Sequence, residues 1–162
     1  MLPSRFRTIL CFAVLAGFFT VSKESPAEEA PYWVLQTSAY TKHFHPDPRH
    51  INHQKLAHVE YHWSDQWMLT AGSVTSSFGQ PVEYVTYGKQ WRPFASVPLL
   101  HVKLSGGIYH GYKGEFRDKV PFNSSGFAPA ILPAMGFSGK YASGEVVLFG
   151  ANALMIAVGV VF

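Results

Sequence analysis

The run LLHVKLSGGIY, Leu99–Tyr109, decides the fold. Leu100, Val102, Leu104 and Ile108 alternate with His101, Lys103, Ser105 and Gly107. Successive side chains of an extended strand point to opposite faces, so this segment has one aliphatic face and one polar or small face. The same period recurs elsewhere. In Leu56–Trp63, Ala57, Val59, Tyr61 and Trp63 alternate with His58, Glu60 and His62. Towards the C-terminus Leu154, Ile156, Val158, Val160 and Phe162 alternate with Met155, Ala157, Gly159 and Val161. Beyond residue 28 no stretch carries apolar residues at helical spacing, and no apolar run approaches the roughly 18 residues of a membrane helix.

Working outward, the alternation predicts eight strands, at about 33–43, 55–63, 67–76, 82–92, 98–110, 128–139, 143–150 and 154–162. Their lengths cluster near the roughly 9–11 residues of a tilted membrane-spanning strand. Short connections (Ser64–Gln66, Pro93–Val97, Lys140–Ala142) oppose the long polar ones Phe44–Gln54 and Gly111–Phe127. Short turns on one side and longer loops on the other characterise outer-membrane barrels. Ala151–Ala153 is tight where that pattern asks for a long loop. Trp33, Tyr61, Trp63, Trp67, Tyr87, Trp91, Tyr109 and Phe162 fall near strand ends, where interfacial girdles lie. The terminal Phe162, with apolar residues at alternating positions before it, resembles the C-terminal signal of bacterial outer-membrane barrels. The expected fold is all-β, an eight-stranded antiparallel transmembrane β-barrel in the outer membrane of a Gram-negative bacterium. A soluble β-sandwich or lipocalin-like barrel is the bland alternative, but it should carry charge on its outer faces.

Composition agrees. Of 162 residues, 48% are hydrophobic, 15% aromatic and only 14% charged. An ordinary soluble domain carries about 25% charged residues. A net charge of +3 with no Lys/Arg cluster disfavours nucleic-acid binding. Residues 1–27 read as a secretory signal peptide. Arg5 and Arg7 precede the apolar run Ile9–Val21, and small residues follow at Ser22 and Ala27. Thr8 rather than Leu stands three before Cys11, which argues against a lipoprotein signal. Removing 1–27 takes away Arg5, Arg7, Lys23 and Glu24, so the charge falls from +3 to +1. It also removes Cys11, the chain's one cysteine, so neither disulfides nor thiolate zinc sites are expected in the mature chain. Residues 28–162 are expected to form a single barrel domain.

An eight-stranded barrel has an interior wide enough for side chains or one small ligand. Ala157, Gly159 and Val161 on the expected inner face, with Gly88, Gly106 and Gly107, leave two readings open. Either an apolar lumen holds one hydrocarbon chain, or larger neighbours close-pack it. The eight histidines include His43-x-His45, His50-x2-His53 and His58-x3-His62. No Asp or Glu is spaced along the chain to complete a recognisable ligand set, so neither metal nor cofactor is expected.

The segments AYTKHF (39–44), SSF (76–78), YG (87–88), WRP (91–93) and PAILPA (129–134) follow one another in an order that resembles the lipid A palmitoyltransferase family of outer-membrane enzymes. The resemblance is patchy over about 33–162. It implies an eight-stranded barrel that moves a palmitoyl chain from a glycerophospholipid to lipid A. It places the active histidine at His43 and the family's Asp-Ser pair at Ser76 and Ser77, so the serine matches and the acidic residue does not. It places the glycine at the floor of the acyl pocket at Gly88 and a wall-opening proline at Pro133. The family's proline before the histidine is Ser38 here, no proline occupies 143–152, and its N-terminal amphipathic helix has no counterpart in 28–32.

Acyl transfer needs a base near neutral pKa, which imidazole supplies, and a hydroxyl to attack or to stabilise the oxyanion. His43 ends the first strand and Ser77 follows the third, so both should lie at the same external rim. Pro129 and Pro133 each remove an N–H from one strand, which should leave a gap in the wall for lateral entry of a lipid. The expected partners are a phospholipid acyl donor and a lipid A or lipopolysaccharide acceptor, with the barrel a monomer in the outer membrane. Two other functions compete: a non-catalytic small barrel serving adhesion or membrane integrity, and a lipid A deacylase, for which no His-x-Ser arrangement is present.

Overall fold

Eight strands form: β1 (Tyr32–His43), β2 (Leu56–His62), β3 (Trp67–Thr75), β4 (Pro81–Trp91), β5 (Leu100–His110), β6 (Phe127–Ser138), β7 (Ala142–Phe149) and β8 (Ala153–Val161). The structure is a computed structural model and describes residues 30–162. The signal-peptide reading of 1–27 lies outside the described residues. Each strand pairs antiparallel with its neighbour in sequence, and β1 pairs with β8, so the sheet closes on itself. The alternation in the sequence therefore translates into a barrel without a free edge.

Which face is buried settles the environment. On β2, His58, Glu60 and His62 point inward, and on β5 His101, Lys103 and Ser105 do. The aliphatic partners point out: Leu35, Leu69, Val85, Ile108, Ile131 and Ile156 are all exposed. Among the described residues, the charged side chains in mid-wall (Glu60, Lys103, Glu145) face the interior. This polarity is inside-out relative to a water-soluble barrel, and it places hydrocarbon against the outer face. Among the described residues, no helix is long and apolar enough to cross a membrane.

The end carrying the short turns has an aromatic belt. Trp33 and Tyr61 meet at 4.8 Å, Tyr61 and Trp63 at 5.0 Å, and Trp67 stacks on Tyr87 at 5.0 Å. The opposite end carries loop 1 (44–55), loop 2 (76–80), loop 3 (111–126) and the tight 150–152 turn. Loop 3 contains a short 3-10 segment, Gly114–Lys119, that the alternation did not foreshadow.

The interior is layered. Beneath the loops, Val74, Val82 and Met155 pack with Tyr84, Tyr109 and Phe149. Below them, Lys103 Nζ lies 2.7 Å from Glu60 Oε2 and 2.8 Å from Glu145 Oε2. His58 and His62 reach Glu60 at 2.9 and 2.7 Å, and His101 reaches Glu145 at 3.3 Å. The lumen is thus filled by side chains, and polar ones at mid-depth. Of the two readings of the interior, close packing is the one observed.

Candidate active site at the loop end

β1 reaches the rim with a phase change. Val34 and Gln36 are buried, and so are Thr41 and His43, although these pairs differ by an odd number of positions. A shift of register against β8 between Ser38 and Tyr40 absorbs the extra residue. Strand side chains alternate, so without this bulge His43 would face lipid.

Loop 1 returns over the end of β1, where the Thr41 N–H donates to the Asn52 carbonyl at 2.8 Å. This pins Asn52 so that its side-chain Oδ1 sits 2.9 Å from His43 Nδ1. An amide oxygen only accepts, so Nδ1 is the protonated ring nitrogen. Nε2 then holds a free lone pair, and Ser77 Oγ lies 2.7 Å from it. The result is an Asn52–His43–Ser77 relay in which the base is oriented by a third group.

Loop 2 holds the serine in place. Ser76 Oγ accepts from the N–H groups of Phe78 (3.3 Å) and Gln80 (3.1 Å), and the Ser76 carbonyl accepts from Gly79 at 3.0 Å. Gly79 sits at φ +83°, which favours glycine. The Ile51 N–H donates to the Ser77 carbonyl at 2.9 Å and ties loops 1 and 2 together. Ser76 is buried and its hydroxyl serves this turn, whereas Ser77 faces His43.

Two further side chains converge on Ser77. Gln54 Nε2 donates to Ser77 Oγ at 3.3 Å, and Gln54 Oε1 is held by the Thr41 hydroxyl at 2.9 Å. The Tyr112 phenol oxygen also faces Ser77, whose backbone N–H donates to it, and burial raises Tyr112 above its ordinary pKa against those contacts. It therefore stays a neutral phenol at physiological pH. These groups are placed to stabilise negative charge developing beside Ser77.

An aromatic lid covers the relay. His50 lies over His43 with ring centroids 4.1 Å apart, and Phe78 meets His50 edge-on at 5.2 Å. Phe78 stacks on Phe116 of loop 3 at 4.6 Å. Burial, and then the neighbouring His43, lower the pKa of His50. Arg49 grips Asp47 with contacts of 2.7 and 3.0 Å, and its guanidinium holds the Asp47 carboxyl well below the usual range.

The remaining predicted positions lie away from the relay. Gly88 is on the inner face of β4, cross-strand from Met68 and Ser105. A Cβ there would meet the Leu104 carbonyl and the Ser105 backbone, so the structure gives Gly88 a packing reason of its own. Pro133 pairs with Leu104 and Pro129 with Ile108 on the β5 side. On the other side, β6 pairs with β7 only from Ala134↔Val147 to Ser138↔Ser143. The stretch of β6 from Phe127 to Pro133 therefore has no ladder partner on β7 among the described residues. The β6–β7 ladder is thus interrupted in its upper half, beside both prolines.

Of the three histidine clusters in the sequence, only the third contributes a residue, His58, to a group of potential ligands among the described residues. Ligand atoms of His58, Glu60 and Glu145 do come within 4.8 Å of one another. The cation between those two carboxylates is the Lys103 ammonium. Asn52, Gln54 and Tyr112 were not singled out from the sequence. Their only signal is residence in the two loops that flank the expected rim.

No known protein family matches the chain, and no curated protein does. The palmitoyltransferase resemblance therefore rests on the residues quoted above. Among solved structures, a de novo designed transmembrane β-barrel superposes with TM-score 0.52 at 11% identity, covering 88% of this chain and 98% of the design. The Yersinia pestis outer-membrane protein Ail, in a phospholipid nanodisc, gives TM-score 0.44 at 15% identity, over 83% of this chain and 100% of Ail. Ail bound to the heparin analogue sucrose octasulfate gives 0.43 at 13%, over 82% and 97%. The inside-out polarity, the aromatic belt and the closed eight-strand topology together make this chain a small outer-membrane β-barrel of a Gram-negative bacterium.

Proposed function

We propose that the barrel is an outer-membrane acyltransferase that moves an acyl chain from a glycerophospholipid to lipid A through Ser77. The observation that carries this reading is the Asn52–His43–Ser77 relay, at 2.9 and 2.7 Å, on the rim that faces the outer leaflet. Ser77 Oγ attacks the ester carbonyl of the donor and passes its proton to His43 Nε2. The tetrahedral oxyanion draws on Gln54 and Tyr112. The lysophospholipid leaves with the proton from His43, and the acyl chain remains on Ser77. A hydroxyl of the acceptor then gives its proton to His43, takes the acyl group, and Ser77 recovers its proton. The open edge of β6 between Phe127 and Pro133 supplies lateral entry for the donor. The choice of palmitoyl rests on the resemblance alone. The filled lumen offers no chain-wide slot below the rim, so chain-length selection is expected to be loose.

A second reading is a non-catalytic barrel serving adhesion or membrane integrity. The filled interior favours it, since such a barrel needs no acyl pocket. A fluorophosphonate probe separates the two. It should form a stable adduct on Ser77 of the purified barrel and none on Ser77→Ala or His43→Ala. An intact, heat-modifiable barrel that leaves Ser77 unlabelled would favour the non-catalytic reading.

A further inference from the structure

β2 and β7 are not neighbours in the barrel, yet Glu60 of one and Glu145 of the other meet on a single ammonium at mid-lumen. One ligand atom each from His58, Glu60 and Glu145 lies within 4.8 Å of the other two. A zinc ion holds imidazole nitrogen and carboxylate oxygen at about 2.0–2.2 Å, which sets such ligands within about 4 Å of one another. A small side-chain shift closes the difference.

The groups around these three residues orient them as the outer layer of a metal site does. The Tyr84 hydroxyl lies 2.6 Å from His58 Nδ1, which leaves His58 Nε2 towards Glu60. His62 Nε2 donates to Glu60 at 2.7 Å, and His101 Nε2 to Glu145 at 3.3 Å. A second observation points to a ligand. A cavity of about 20 Å³ touches His58, Glu60, Lys103 and Glu145, and also Thr70 and Thr86. One water needs about 10–15 Å³. Thr70 and Thr86 are 2% and 1% exposed, and neither hydroxyl has a hydrogen-bond partner. Buried hydroxyls are normally paired, so this pair calls for a polar occupant beside the carboxylates.

Charge gives the sign of that occupant. The Nδ1 atoms of His62 and His101 are buried without an acceptor, which suits neutral rings. Two carboxylates and the Lys103 ammonium then leave one negative charge unmatched in the lumen. An ion of charge +2 in the ammonium's place matches both carboxylates.

We propose that the lumen binds one divalent transition-metal ion of the zinc type, through His58 Nε2 and the Glu60 and Glu145 carboxylates, in competition with the Lys103 ammonium. The His58 proton then sits on Nδ1 and is donated to the Tyr84 oxygen, and a water in the cavity completes four-coordination. A mixed imidazole and carboxylate set suits such ions better than magnesium or calcium, which take oxygen ligands. The ion clamps β2 to β7 across the barrel. This site is separate from the rim relay and does not depend on acyl transfer.

Metal titration tests the site directly. The untagged barrel is refolded into detergent micelles with EDTA, freed of chelator, and titrated with Co²⁺ and then Zn²⁺. One Co²⁺ per barrel should bind with the visible absorption of a four-coordinate ion, one Zn²⁺ should displace it, and zinc should raise the urea midpoint. His58→Gln and Glu145→Gln should each weaken binding at least about tenfold, the loss typical of removing even an outer partner. Lys103→Met, which removes the competitor, should bind more tightly than wild type. His45→Ala and His53→Ala should change nothing, which separates the lumen from the histidines of loop 1. Heat-modifiable gel mobility checks that each variant is folded, and the wild-type titration stands without any variant. A wild-type barrel that takes up no stoichiometric Co²⁺ or Zn²⁺ overturns the proposal. So does binding that survives His58→Gln with Glu145→Gln, binding lost with the loop 1 histidines, or a Lys103→Met barrel that binds no more tightly than wild type.

Discussion

Ser77 Oγ lies 2.7 Å from His43 Nε2, although 34 positions of chain separate the two residues. The contact depends on two local irregularities. The bulge in β1 turns His43 inward, and the Ser76–Gln80 turn aims Ser77 back at it. Neither feature is needed to close a barrel.

Asn52 orients the base, so its removal should be costly while an acidic replacement should not be. Asn52→Ala frees the His43 ring and should slow acyl transfer at least about tenfold. Asn52→Asp keeps an acceptor on Nδ1 and adds charge that stabilises the imidazolium, so activity should hold or rise. Steady-state transfer to lipid A in detergent checks both. Equal rates for wild type and Asn52→Ala would remove Asn52 from the relay.

Ser76 acts through its neighbour. Its hydroxyl accepts two backbone N–H groups and touches no reacting atom in the proposed relay. Ser76→Ala should lower kcat less than Ser77→Ala, and KM should change little. Ser76→Asp offers a carboxylate to the same two N–H groups and should retain activity. A loss in Ser76→Asp as complete as in Ser77→Ala would contradict this positioning role.

The buried ion cluster is a stability device. Lys103→Met leaves the Glu60 and Glu145 carboxylates facing each other without their shared ammonium. Removing one partner of a buried pair typically costs about 3–5 kcal/mol. Urea unfolding in lipid vesicles should show a loss of that order. An unchanged midpoint would mean that water enters the lumen and solvates the carboxylates.

Loop 1 should open in acid. The folded protein holds His50 below its ordinary pKa, whereas the opened loop restores the ordinary value near 6.5. The opened form therefore binds more protons in that window, and closure weakens as pH falls through it. His43, Arg49 and Lys119 oppose protonation of His50, and Asp47 favours it. Hydrogen exchange over residues 44–53, corrected for intrinsic rates, should show less protection at about pH 5.5 than at about pH 7.5. Equal protection would contradict the closed-loop account.

The strands were legible because alternation is a local signal. In Leu99–Tyr109 each residue declares its face, and β5 spans Leu100–His110 as that pattern requires. The rim positions of His43 and Ser77 followed from strand ends. The bulge did not, because Ser38 and Ala39 are small enough to suit either face. The ion cluster was hidden for another reason. Glu60 and Lys103 stand 43 positions apart, and a strand register across the lumen cannot be read from one-dimensional spacing. Asn52 and Gln54 were masked by the many polar residues that an aqueous loop carries in any case. Gly88 was read by resemblance as the floor of a pocket, whereas in the folded barrel its missing side chain makes room for the β5 backbone.

The mass of lipid A from cells with and without the protein tests the central claim most directly. Expression of the wild-type barrel should add the mass of one acyl chain. Ser77→Ala and His43→Ala should assemble equally well and add little or none, since loss of a general base alone costs about 10²–10⁴ in rate. Unchanged lipid A in the presence of assembled wild-type barrel would contradict acyl transfer. So would the loss of an acyl chain, or a gain that persists in Ser77→Ala.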